Sequence, residues 1–308
     1  MSKYPIKKEF FPLSILTPPI QSAKMAGFLG SLMKPPRSIF RDKEIKVTKE
    51  VISGYNGAPI DVLLFEPYGI DEPTPCLVYY HGGGFFFGAS GYHYRVAKRY
   101  ALNTPCKLVF VQYRLAPKNP HPIPSEDCYA ALRWTYENSK RLNIDKTRIA
   151  VGGDSAGGAL AAAVCHMSRD RGTDSPLFQM LVYPVTDRRM ETDSNRKYTD
   201  TPMWNSRLSV KMWQGYVQDE NAPNLQYASP MEATDFAALP AAYIETAEFD
   251  CLHDEGVEYS KRLTESGVNT VLCETVGTMH GFDGAEKAPT SVMTVAGRID
   301  FMKSKFYK

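Results

Sequence analysis

From about residue 45 onward, short runs of β-branched and aromatic residues alternate with longer segments whose apolar positions recur at helical spacing. The runs are Ile45 to Ser53, Ile60 to Glu66, Cys76 to Tyr80, Leu108 to Tyr113, Ile149 to Gly152, Gln179 to Tyr183, Ala242 to Thr246 and Thr270 to Glu274. Alternation of this kind predicts an α/β fold, a mostly parallel eight-stranded sheet with helices on both faces, because parallel neighbours need a crossover of helix length. Gly54-Tyr55-Asn56-Gly57, between the first two runs, is short enough for a hairpin. The sheet is therefore expected to begin antiparallel and continue parallel.

Helices are expected in the gaps. Ser125 is expected to cap a run through Tyr129, Leu132, Arg133 and Tyr136, with Glu126 and Asp127 at the positive end of the dipole. Others are expected to open at Ser155 and near Asp254, and one closes the chain. Two stretches fall outside the alternation, residues 1–45 and 188–231. Met25, Phe28, Leu29, Leu32 and Met33 form a helical stripe in the first, and Leu208, Met212, Trp213 and Tyr216 form one in the second, behind a Ser206 cap. Such stripes are expected to dock on the core. The second stretch also follows the C-terminal end of the run Gln179 to Tyr183, where ligands bind in open α/β sheets, which points to a lid. The expected organisation is a cap segment over 1–45, core over 46–187, a cap insertion over 188–231 and core over 232–308.

Composition narrows the class of partner. With 308 residues, 43% of them hydrophobic, the chain can bury a large core. Its 36 basic residues against 34 acidic ones leave no chain-wide electrostatic footprint for nucleic acid, an anionic membrane or a polyanion, so a small-molecule substrate fits better. The six cysteines contain no CxxC pair and mostly sit in apolar runs, as reduced intracellular thiols do. No apolar run approaches the ~20 residues that span a bilayer, and Glu9 and Pro12 interrupt the lysine-bearing start, so no membrane span and no signal peptide are expected. A cytoplasmic location is the expectation.

The chemistry concentrates in a few short motifs. Gly153-Asp154-Ser155-Ala156-Gly157-Gly158 lies between the run Ile149 to Gly152 and the small-residue stretch Ala159 to Val164. A serine on a sharp strand-to-helix turn has near-colliding neighbours two residues to either side, which calls for glycine at 153 and 157. The turn also puts Ser155 at a helix N-terminus, where free N–H groups favour negative charge on a substrate oxygen. His81-Gly82-Gly83-Gly84, past the run Cys76 to Tyr80, offers backbone N–H groups with no side chain in the way, and with the N–H of Ala156 these would form an oxyanion hole. Among six histidines, His166 fails as a base because it lies roughly 16 Å down the helix from Ser155. His280, in a glycine-flanked loop past the last run, is at the edge where Ser155 should emerge. Asp250 follows the run Ala242 to Thr246, whereas Asp254 and Glu255 belong to a first helical turn. The order Ser155, Asp250, His280 is that of a nucleophile, acid and base on an α/β-hydrolase sheet. HExxH, EF-hand and Walker patterns are absent, so no cofactor or metal is expected.

The stretch from His81 to Phe282 resembles the hormone-sensitive-lipase-like (bacterial family IV) carboxylesterases of the α/β-hydrolase superfamily. It carries the HGGG loop, the GDSAGG elbow, Tyr113-Arg114-Leu115-Ala116-Pro117, Glu126-Asp127, the Asp250 to Gly256 segment and His280-Gly281-Phe282. It departs from the family pattern at Cys251, where the family has proline, and in the bulk of Phe85-Phe86-Phe87, which is expected to narrow the pocket. The resemblance implies a serine carboxylesterase acting on short-acyl esters. It maps the oxyanion donors to Gly83, Gly84 and Ala156 and assigns the cap to the two segments outside the alternation. It gives Tyr113 to Pro117 a supporting role and implies a homodimer through the last strand and helix. A deacetylase of acetylated sugars, a lactonase or an amidase would use the same triad. Hydrolase-like ligand-binding receptors that resemble this family lack the histidine, which is present here.

Overall fold

Each of the eight runs forms a strand in the computed structural model, which describes residues 3–18, 20–70 and 72–308. The strands are β1 (Ile45–Ser53), β2 (Pro59–Pro67), β3 (Thr74–Tyr80), β4 (Lys107–Gln112), β5 (Ile144–Asp154), β6 (Phe178–Val182), β7 (Ala241–Phe249) and β8 (Thr270–Met279). They form one sheet in the order β1-β2-β4-β3-β5-β6-β7-β8. Pairing is antiparallel from β1 to β2 and from β2 to β4, and parallel from there to β8.

The helices are α1 (Ala23–Ser31), α2 (Gly91–Asn103), α3 (Ile123–Glu137), α4 (Ala156–Asp170), α5 (Asp193–Lys197), α6 (Ser206–Tyr216), α7 (His253–Glu265) and α8 (Pro289–Phe306). Successive side chains of a strand point to opposite faces, so each central strand feeds two cores. Cys76, Val78 and Tyr80 of β3 pack with α3, α4 and α7, while Leu77 and Tyr79 pack with α2 and α8. No helix among the described residues is long and apolar enough to cross a membrane.

Three local expectations are corrected. Ser125 does not cap α3: the helix begins two residues earlier, with Pro124 in its first turn, and the Ser125 hydroxyl donates back to the Pro122 carbonyl at 2.9 Å. The cap of α6 is Asn205, whose Oδ1 accepts from the Leu208 N–H, and Ser206 is the first helical residue. The stripe on α6 does dock, with Leu208, Met212, Trp213 and Tyr216 all buried. That on α1 does not, since Phe28, Leu29, Leu32 and Met33 are exposed. The inward side of α1 is Ala26 and Gly30, because it lies directly on the backbone of the loop after β3: a Cβ at Gly30 would stand 1.9 Å from the Phe86 carbonyl oxygen. Close approach of two backbones leaves room only for the smallest residues.

Candidate active site

Sheet register brings the site together. Asp154, the last residue of β5, pairs with Val182 on β6, so Ser155 emerges at the C-terminal edge beside Tyr183. On β7 and β8 the last rung is Phe249 with Met279, and the next residues are Asp250 and His280. Both strands run beyond the apolar runs visible in the sequence, and a register shift between Ala247 and Phe249 re-aims the end of β7.

The serine, histidine and aspartate read from the sequence meet in one hydrogen-bonded line. His280 Nε2 lies 2.9 Å from Ser155 Oγ, and its Nδ1 lies 2.6 Å from Asp250 Oδ2. The second carboxylate oxygen of Asp250 accepts from the Leu252 N–H at 3.0 Å, which fixes the group's orientation. All three side chains are buried. Ser155 takes φ 55° and ψ −121°, a strained conformation for a residue with a Cβ. A Cβ at Gly153 would lie 2.3 Å from the Gly157 oxygen, and one at Gly157 only 1.9 Å from the Tyr80 oxygen, so both glycines are required by backbone contact.

Facing the serine is the loop 81–84. Gly83 and Gly84 take φ of 122° and 58°, and neither N–H meets a protein acceptor among the described residues. Ala156 begins α4, so its N–H belongs to the free first turn. His81 is no base. It is buried, stacked on Tyr113 with ring centroids 4.5 Å apart, and desolvation holds its imidazole down at about 4. The Tyr113 hydroxyl donates to the His81 carbonyl at 2.7 Å, and Arg114 forks onto the buried Asp127 at 2.7 and 2.8 Å, so the Tyr113 to Pro117 segment braces this loop from behind.

Sequence reasoning passed over Asp154, which ties the loop to the turn. Its Oδ1 accepts from the Tyr79 hydroxyl at 2.6 Å and the Gly82 N–H at 3.1 Å, and its Oδ2 faces His93 Nε2 at 3.1 Å. Nδ1 of His93 takes the Ser90 N–H at 2.9 Å, which leaves Nε2 to donate. Burial pushes the Asp154 carboxyl up, but His93 and Tyr79 outweigh it and hold it at about 2. Its place beside Ser155 on a strand end was the available signal. Cys251, the departure in the acid loop, is buried, and its carbonyl accepts from Ser194 Oγ at 2.9 Å, so α5 of the insertion braces the loop.

A cavity of about 360 Å³ opens onto Ser155 and His280. Leu13 and Pro18 line it from the N-terminal segment, Met203 and Trp204 from the insertion, and Phe87, Tyr92 and Tyr183 from the core. Of the three phenylalanines expected to narrow it, only Phe87 reaches it. Phe85 and Phe86 are fully buried, and the Phe85 ring stacks on Tyr216 of α6 with centroids 3.7 Å apart. A larger recess of about 760 Å³, between α1 and the segment Tyr113 to Asn119, contains none of the three aligned residues.

Residues 77–284 match a family model described as an alpha/beta hydrolase fold. The chain is 34% identical to carboxylesterase NlhH of Mycobacterium tuberculosis over 82% of its own length and 80% of that protein's. It is 32% identical to an ethyl acetate hydrolase of Pseudomonas putida, over 74% and 72% of the two lengths. Among solved structures, a bacterial heroin esterase superposes with a TM-score of 0.84 at 32% identity, covering 93% of this chain and 91% of that one.

Proposed function

We propose that this chain, which belongs to the hormone-sensitive-lipase-like family of α/β-hydrolases, is a carboxylic ester hydrolase working through an acyl-enzyme on Ser155. The observation that carries this reading is the line Ser155 Oγ, His280, Asp250 at 2.9 and 2.6 Å, facing a cavity lined by Gly83 and Gly84, whose N–H groups meet no protein acceptor among the described residues. Ser155 Oγ attacks the acyl carbon while His280 Nε2 takes its proton. Asp250 keeps the imidazole in the tautomer with its proton on Nδ1 and stabilises the imidazolium that forms. The tetrahedral oxyanion is held by the N–H groups of Gly83, Gly84 and Ala156. His280 returns the proton to the departing alcohol, and water, activated by the same imidazole, then releases the acid. The relatives named as a carboxylesterase and an ethyl acetate hydrolase support the same class of reaction.

Short acyl groups fit this site best. The cavity is small and mostly apolar, and its tyrosine hydroxyls are committed elsewhere, so an acetylated sugar would find few partners for its own hydroxyls. Residues 3–45 and 188–231 act as the cap. A homodimer would use the free edge of β8 and the exposed Val292 and Met293 of α8, and sedimentation in solution tests it, a monomer at micromolar concentration being the contrary result.

The decisive assay uses p-nitrophenyl esters of rising acyl length, with acetylated sugars and aryl amides alongside. Ser155→Ala should lower kcat by at least ~10⁴-fold and abolish labelling by a fluorophosphonate. Full activity in that variant would overturn the proposal. Neither labelling nor turnover in the wild type would instead favour a ligand-binding role.

A further inference from the structure

A cluster of charged and phenolic groups is buried behind the cavity wall, and the mechanism above does not use it. Asp283 is three residues past His280 and 1% exposed. Its Oδ1 accepts from the Tyr183 hydroxyl at 2.7 Å, and its Oδ2 from the Tyr92 hydroxyl at 2.5 Å and from Arg298 at 2.6 Å. Arg298, also 1% exposed, forks onto Glu245 of β7 and donates to the Tyr100 hydroxyl at 3.1 Å, while Tyr243 donates to Glu245 at 3.0 Å. One guanidinium is thus shared by two buried carboxylates, an arrangement that gains little stability over apolar packing of the same volume but fixes its members' positions.

Two of those members face the substrate. Tyr92 and Tyr183 both line the cavity, and the Tyr183 ring packs on the His280 imidazole with centroids 4.7 Å apart. Their hydroxyls point away to the same carboxylate, so the cavity meets ring carbon, and neither ring can turn without breaking a hydrogen bond to a charged acceptor.

We propose that Asp283 is a specificity-positioning residue: by pinning Tyr92 and Tyr183 it makes them two fixed aromatic walls that hold the acyl group of the substrate to a short length. This rests on the esterase reading above. Freed from the carboxylate, the rings swing aside and longer acyl chains enter.

The test is the ratio of kcat/KM for p-nitrophenyl octanoate to that for the acetate, in the wild type and in Asp283→Asn, Tyr92→Phe and Tyr243→Phe. The first two should raise the ratio by ~10-fold, mainly through a lower KM for the octanoate. Tyr243→Phe removes a hydroxyl from the far side of the same cluster, away from the cavity, and should leave the ratio within about twofold. If Asp283→Asn does not fold, the partly buried Tyr92→Phe decides alone. An unmoved ratio in variants that still cleave the acetate overturns the proposal, as does an equal change in Tyr243→Phe, which would mean general loosening. A wild type that cleaves no ester overturns the esterase reading itself, and this inference with it.

Discussion

Asp154 and its glycine neighbours show how much of the site is held by groups that never meet substrate. Asp154 joins three elements through one carboxylate: β3 by Tyr79, the loop 81–84 by Gly82 and α2 by His93. Replacing it with asparagine keeps the volume but removes the charge that favours those donors. The expected outcome is a fall in kcat of about 10 to 10²-fold with KM little changed, since the proposed oxyanion donors act on the transition state more than on bound ester. Steady-state kinetics on the acetate ester checks it, and a change confined to KM would contradict it. Gly157→Ala should be worse. Its Cβ would meet backbone at 1.9 Å, which has no side chain to move aside, so soluble folded protein is expected to be lost or kcat to drop by more than ~10²-fold.

At the scale of elements, most of the sheet was legible and the packing of α1 was not, and the difference is physical. Strands such as β3 and β4 are buried on both faces, so their apolar runs are uninterrupted and bounded by turn residues. The ends of β7 and β8 were invisible because Glu248 on β7 and Gly277 and Thr278 on β8 interrupt the apolar pattern, although all three lie within the strands. Ser155, Asp250 and His280 could be singled out because each follows such a run, whereas Tyr183, Asp283 and Arg298 look like ordinary residues until the fold brings them together. For α1 the pattern misled: an apolar stripe marks the inner face only where side chains do the packing, and here backbone meets backbone through Ala26 and Gly30. Gly30→Val should therefore detach α1 from the Phe86 loop while leaving the sheet intact. The expected signs are faster proteolysis within residues 20–35 and altered KM, with a midpoint of thermal unfolding only a few degrees lower. Wild-type proteolysis would contradict this packing.

At the scale of the whole molecule, three buried histidines contribute to the pH dependence of stability. His81, His121 and His166 are each held down at about 4 from an ordinary 6.5, with desolvation the leading cause in every case. Between those values the unfolded chain binds protons that the folded one refuses, so stability rises with pH across this window and is lost as pH falls from about 6.5 towards 4. The Asp154 carboxylate contributes in the same direction only lower, between its ordinary 3.8 and about 2. Glu255 opposes the histidines over the same window: desolvation holds its buried carboxyl well above the usual carboxylate range, so there the folded chain keeps a proton that the unfolded one has released. His166 is far from Ser155, and its hydrogen bonds among the described residues go to Tyr259 and Arg169, so His166→Gln should lower the slope of unfolding free energy against pH by that one group's share. Urea titrations from pH 4.5 to 7 measure it, and an unchanged slope would remove His166 from the account.

The last rung of β7 and β8 carries one more consequence. Asp250 and His280 leave the sheet one residue beyond the same pair, so their alignment depends on strand registration and not on the length of the α7 crossover between them. Descendants of this gene can lengthen or trim that crossover freely, whereas a single codon gained or lost inside β8 turns the imidazole to the opposite face of the sheet. Heritable variation in substrate range is thereby steered into the surface connections, and the reactive alignment passes through it unchanged.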